Sequence, residues 1–114
     1  MTVWRRAGIA AVLVIACAIA RAASAGDGFE AVYDAHYQFE HLGYCGMADT
    51  DAQAALDRKV RQAMDAGLSR EDMEQARMKA WSDAYKEWLN RGLGGFRAWC
   101  ADEGPLSKDR LIAD

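Results

Sequence analysis

The chain has 114 residues, with 17 acidic and 14 basic side chains and three cysteines. This length allows one small domain rather than several. The acidic balance disfavours nucleic acid as a partner, because binding to phosphate backbones relies on clustered lysine and arginine.

The first 25 residues have the three-part layout of a secretory signal peptide. Arg5 and Arg6 supply positive charge, an apolar run follows over residues 7–20, and Ala23 and Ala25 form an A-x-A cleavage site. That run is shorter than the roughly 20 residues that span a bilayer as a helix, so we expect no permanent membrane anchor. The pattern predicts cleavage after Ala25 and a secreted protein. The short, alanine-rich signal favours the bacterial periplasm as its destination.

Cleavage would change both the charge and the cysteine count. Residues 1–25 hold three arginines, one cysteine and no acid, so residues 26–114 keep 11 basic and 17 acidic side chains, a net charge of −6. Their two cysteines, Cys45 and Cys100, predict one disulfide in an oxidising compartment. Residues 14–17 also fit the box before the lipidated cysteine of bacterial lipoproteins. However, the residues after Cys17 stay apolar, where a lipoprotein usually turns polar.

The hydrophobic periodicity after residue 25 is helical throughout. No segment alternates with the period of two that a half-buried strand requires. A first helix is predicted over residues 28–42 and a second over residues 50–66, with Gly67 as its end. The sequence therefore predicts an all-α fold, a small three- to four-helix bundle stapled by one disulfide, as a single domain over residues 26–114.

The start of the third helix is the clearest local signal. Ser69 is placed to cap it, and Leu68 and Met73 occupy the two hydrophobic-staple positions. We expect this helix to reach about Asn90 and to stop at Gly92.

A glycine-rich segment, residues 90–97, follows the predicted stop. Glycines before a helix can present backbone N–H groups to an anion, and Arg91 and Arg97 flank this segment. A helix end followed by a tight turn explains the same residues. Beyond it we expect a short fourth helix over residues 96–101 and a last turn capped by Ser107.

His36 and Glu40 are the most evident candidates for chemistry. They lie one turn apart within the apolar arc of the first helix, whereas His41 falls on its polar side. Such a pair can form a proton-transfer or metal site, or a buried polar pair that fixes the register of the helix with Arg77 as a third member. His36 and His41 are five residues apart, which places them on different faces. No third ligand is evident, so we predict no metal site and no cofactor.

The third helix carries an apolar arc of about 220°, although a helix that lies on one neighbour needs little more than about 100°. Five large side chains form one edge of this arc: Met78, Trp81, Tyr85, Trp88 and Leu89. Either the helix is central and packs on two sides, or this edge is exposed for a partner.

No nucleophile stands beside an evident base, so we expect no enzymatic activity. The sequence predicts an exported helical protein that acts by protein–protein interaction through the edge formed by Trp81, Tyr85 and Trp88. One alternative is an acid- or stress-responsive periplasmic chaperone. Another is a carrier of a small ligand or metal that uses His36 and Glu40.

Overall fold

A computed structural model describes residues 26–113, with the side chains of residues 92–94 excepted. The predicted signal peptide and the alternative lipidation site at Cys17 lie outside the described residues. Within them the chain forms four helices and no strand, so the predicted all-α fold is confirmed. These helices are α1 over residues 26–44, α2 (Thr50–Asp65), α3 (Arg70–Ala101) and α4 (Gly104–Ile112). No helix in the described range is long and apolar enough to cross a bilayer.

Glycines in the left-handed conformation end the first two helices. Gly46 (φ 68°) follows α1 and Gly67 (φ 110°) follows α2. After each glycine, the next amide donates to a carbonyl five residues earlier, from Met47 to Leu42 (2.8 Å) and from Leu68 to Ala63 (3.0 Å). Both turns are therefore Schellman motifs, in which the two hydrogen-bonded residues also pack in the core.

The start of α3 matches its predicted cap. Ser69 Oγ accepts a hydrogen bond from the backbone N–H of Asp72 at 3.1 Å. Leu68 is buried, and Met73 packs against the same apolar cluster, as the hydrophobic staple requires. The predicted stop at Gly92 is wrong, because α3 continues without a break to Ala101.

Contacts on both sides of the glycines explain why α3 continues. Before them, Arg91 donates to Glu87 (2.8 Å) and also pairs with Glu103 beyond the end of the helix (3.1 Å). After them, Trp99 is buried and Cys100 is bonded to Cys45. One contact within the helix and three with other parts of the chain thus offset the roughly 1 kcal/mol that each helical glycine costs relative to alanine. The predicted separate helix over residues 96–101 is therefore the last part of α3.

The core lies between α1, α2 and α3, and α4 closes one end. Ala76, Ala80 and Ala84 form a fully buried ridge on α3. Such small side chains let helices approach closely, and Val32 of α1 shares a cluster with Ala76. At the closed end, Leu111 of α4 packs among buried residues of α1 and α2.

The predicted disulfide is present. Cys45, just after α1, is bonded to Cys100 in the last turn of α3, with a Cα–Cα distance of 5.2 Å. The two cysteines are 55 positions apart in sequence, and closing such a loop contributes about 4 kcal/mol in the chain-entropy view. The bond fixes the end of α1 against the end of α3.

Candidate functional site

The apolar edge of α3 is exposed. We call it the aromatic strip, and it consists of Met78, Trp81, Tyr85, Trp88 and Leu89. These side chains keep between 38% (Trp88) and 55% (Leu89) of their surface exposed. The alanine ridge is the buried face of α3, so of the two arrangements that the sequence allows, the one that leaves this edge exposed is observed. A contiguous apolar surface of this kind is a common feature of protein-binding sites.

The rings of the aromatic strip stack on one another. The Trp81 and Tyr85 rings are parallel, with centroids 5.7 Å apart, and the centroid of Trp88 lies 5.9 Å from that of Tyr85. Trp88 in turn stacks on Tyr44 at the end of α1, at 5.2 Å. Tyr44 also contacts Trp99, which is only 2% exposed. The exposed rings are therefore connected to the core through a continuous series of ring contacts.

Glu40 and His36 of α1 lie near the aromatic strip. Both side chains are half-buried, and no hydrogen bond joins them in the described part of the chain. Arg77, one turn before Trp81, acts electrostatically on both groups, while its guanidinium donates to Glu74 at 2.8 Å. The predicted pair is thus part of a polar group around Arg77.

Burial is the main cause of the pKa shifts of Glu40 and His36. Burial raises the pKa of Glu40, and Arg77 opposes this shift only in part. Burial also lowers the pKa of His36, and Arg77 lowers it further. A neutral imidazole and a partly desolvated carboxylate are therefore expected beside the strip at neutral pH.

A second polar site was missed by the sequence interpretation. His41 lies in the core, 1% exposed, rather than on the polar side of α1. Its Nδ1 is 2.7 Å from Ser107 Oγ, its Nε2 is 2.9 Å from the carbonyl oxygen of Trp99, and its ring stacks on Trp99 at 4.2 Å. Ser107 is therefore not a helix cap: it lies within α4 and connects that helix to α1. One sequence signal for a buried His41 was available. Ala35 and Leu42 are seven residues apart, so they share a face of α1 and widen its apolar arc towards position 41.

The hydrogen bonds of His41 define its tautomer. A carbonyl oxygen can only accept, so Nε2 carries the proton and donates to Trp99. In the neutral ring Nδ1 then accepts from the Ser107 hydroxyl. Burial lowers the pKa of His41, which keeps the ring neutral at pH 7. All polar atoms of this buried ring are satisfied, which identifies the site as a structural junction of α1, α3 and α4.

Residues 90–97 do not form the anion-binding loop that the sequence allowed as an alternative. Residues 90–97 are helical rather than a loop, so their backbone N–H groups are directed along α3. Arg91, one of the two flanking cations, pairs with Glu87 and Glu103. The described residues also contain no cluster of three or more His, Cys, Asp or Glu side chains that could hold a metal ion.

Among the polar and apolar surfaces described, the aromatic strip with Glu40 beside it is the strongest candidate for a functional site. Its large apolar side chains are exposed and its carboxylate is partly desolvated. Comparison of the chain with protein-family models, with curated proteins and with solved structures finds no match. The function has to be inferred from the site itself.

Proposed function

We propose that this protein is exported to the periplasm or beyond and acts, without catalysis, by binding a helix of another protein on the aromatic strip. The observation that carries the proposal is the exposure of five large apolar side chains on one face of α3. Two tryptophans and a tyrosine stand among them, residue types that are enriched in the energetically dominant centres of protein interfaces. The predicted signal peptide and the disulfide support the compartment.

The spacing of the strip favours a helix as the bound element. Met78, Trp81, Tyr85 and Trp88 follow one another at intervals of three, four and three residues. That is the a/d pattern of a helix that packs along another helix at about 20°. Leu89 widens the surface on one side. An amphipathic helix in an apolar groove is a well-established mode of recognition.

The ring contacts of the strip support the same function. Each aromatic ring is held by at least one neighbouring ring, and the series ends at the buried Trp99. Side chains that are already ordered lose little conformational entropy when a partner binds, and this loss is a main cost of association.

The proposal can be tested by site-specific photo-crosslinking in an exporting host. A photoreactive residue in place of Tyr85 should give a discrete crosslink to another protein, and the same residue in place of Arg61 on the exposed side of α2 should not. Trp81→Ala should abolish the crosslink while the protein stays folded by circular dichroism. If Trp81→Ala and Tyr85→Ala both unfold the protein and no crosslink forms, the strip is part of the core and the proposal fails.

The second candidate function is that of an acid-responsive chaperone, and the observation that favours it is the neutral His41 at the junction of three helices. Protonation of this ring in acid would weaken the junction and enlarge the exposed apolar surface. Light scattering of an aggregating client at about pH 5 and about pH 7 provides the test. A chaperone should suppress scattering at the lower pH, and failure at both values would remove this function.

A further inference from the structure

Glu40 provides information about the charge of the partner. Its neighbours place it next to the aromatic strip: Tyr44, one turn later on α1, stacks on Trp88, and the charge of Glu40 acts on both Tyr44 and Arg77. A helix lying on the strip would therefore pass within reach of the Glu40 carboxylate.

This carboxylate has no hydrogen-bond donor among the described residues. Arg77, the cation whose charge acts on Glu40, uses its Nε and one terminal nitrogen on Glu74, at 3.2 Å and 2.8 Å. A half-buried carboxylate without a donor is unfavourable in the free protein, which is the direction in which its pKa is shifted. A cationic group from a partner would remove this penalty.

We propose that the occupant of the aromatic strip is an amphipathic helix of another protein that carries a lysine or arginine beside its apolar face and pairs it with Glu40. This inference rests on the proposed function and adds the charge of the partner to it. In a heptad pattern the positions beside the apolar seam, e and g, are those whose charges determine the choice of partner. The apolar residues of the partner helix would pack on Trp81 and Trp88 while its cation reaches towards α1.

A second copy of this chain is the less suitable occupant. Residues 26–114 carry a net charge of −6, so two copies repel one another at low ionic strength. The exposed surface of the strip is on the order of 500 Å². Two strips face to face would bury on the order of 1,000 Å², below the standard interface of about 1,600 Å².

The test uses three synthetic helical peptides with the same apolar face and with lysine, glutamine or glutamate at the flanking positions. Binding to the oxidised protein is followed by tryptophan fluorescence and by calorimetry. We expect the lysine peptide to bind about five- to tenfold more tightly than the glutamate peptide, with a preference that decreases as salt is added. Glu40→Gln should remove this preference, and the matched variant Glu30→Gln, exposed elsewhere on α1, should retain it.

The outcomes separate this inference from the function on which it rests. Equal binding of the three peptides, abolished by Trp81→Ala, would overturn the charge preference and leave helix binding intact. Retention of the preference in Glu40→Gln would also overturn the inference, because a group other than Glu40 would then determine the charge preference. Failure of every peptide to bind, together with no crosslink at position 85, would overturn both the charge preference and the proposed helix-binding function. A dimer in sedimentation that Trp81→Ala dissociates would identify a second copy as the occupant and overturn the proposal.

Discussion

Glu40 and His41 are adjacent on α1, yet their side chains lie in two very different regions of the molecule. His41 lies in a closed junction where each ring nitrogen has a hydrogen-bond partner and Trp99 covers one face. Glu40 lies beside an open apolar surface and accepts no hydrogen bond from the described residues. Tyr44 contacts both regions, because it stacks on Trp88 and also touches Trp99.

Under the proposed function, the difference between the two regions separates stability from binding. A buried polar group with all its hydrogen bonds satisfied stabilises a unique arrangement of the helices around it. A partly desolvated carboxylate next to exposed rings does the opposite in the free protein, because its burial opposes ionisation and Arg77 compensates only in part. Under the proposed function it gains a further favourable contact when a partner binds. Proteins commonly retain such local instability where function requires it.

The largest expected effect comes from removing one tryptophan from each region. Trp99→Ala should lower the free energy of unfolding by about 3–5 kcal/mol, because it leaves a cavity in the junction and removes the ring that stacks on His41. Trp88→Ala should cost less, about 2 kcal/mol, since 38% of that residue is exposed and the variant loses its remaining apolar burial together with its stacking. Urea unfolding of the oxidised protein measures both. Equal losses would mean that the strip is as much a part of the core as the junction.

A smaller effect is expected from the hydroxyl that joins α4 to α1. Ser107→Ala leaves the buried Nδ1 of His41 without a donor, which should cost about 1–3 kcal/mol. Ser82→Ala on α3 is the control, because its hydroxyl makes no hydrogen bond with the described residues, and it should change stability by less than about 0.5 kcal/mol. Thermal unfolding of the two variants makes the comparison. Similar stability of both would show that Ser107 does not hold the junction together.

The two regions also differ in how far they could be predicted from sequence. The cap at Ser69, the end of α2 at Gly67 and the Cys45–Cys100 bond follow from local signals whose chemistry involves few residues, and all three are confirmed. The strip was evident as an apolar arc too wide for one neighbour. Its exposure could not be predicted, because that depends on α1 packing on the alanine ridge.

The junction depends on contacts distant in sequence, which explains why it was misread. His41 meets Ser107 across 66 positions and Trp99 across 58, so neither partner is visible from the pattern around α1. The continuation of α3 past its glycines has a similar origin in Arg91, which pairs with Glu103 beyond the helix end. Local propensity favoured a break there, and tertiary contacts overrode it.

The pH dependence of stability should distinguish the junction from the surface. The pKa of His41 is lowered in the folded protein, so the unfolded chain binds this proton more readily as the pH falls below about 6.5. Stability should be full above that value and decrease towards about pH 5, with Glu87 and Glu103 opposing the loss and Arg91 adding to it. Urea unfolding at several pH values tests this. His41→Gln should flatten the profile more than His36→Gln does, since His36 is only half-buried.

The smallest expected effect is a gain in stability, whereas the effects above are losses. The pKa of Glu40 is raised in the folded protein, so its ionised form lowers stability, and this effect disappears as the pH falls below the unfolded value of about 4.5. Glu40→Gln should therefore raise the melting temperature slightly at pH 7, by a few tenths of a degree to about 2 °C, and have no effect near pH 4.

The same substitution should weaken binding of the lysine-bearing helix. Scanning calorimetry of the free protein and of its complex provides both values. A variant that loses stability and binding together would mean that Glu40 supports the fold, whereas greater stability with weaker binding is expected of a residue retained for its partner.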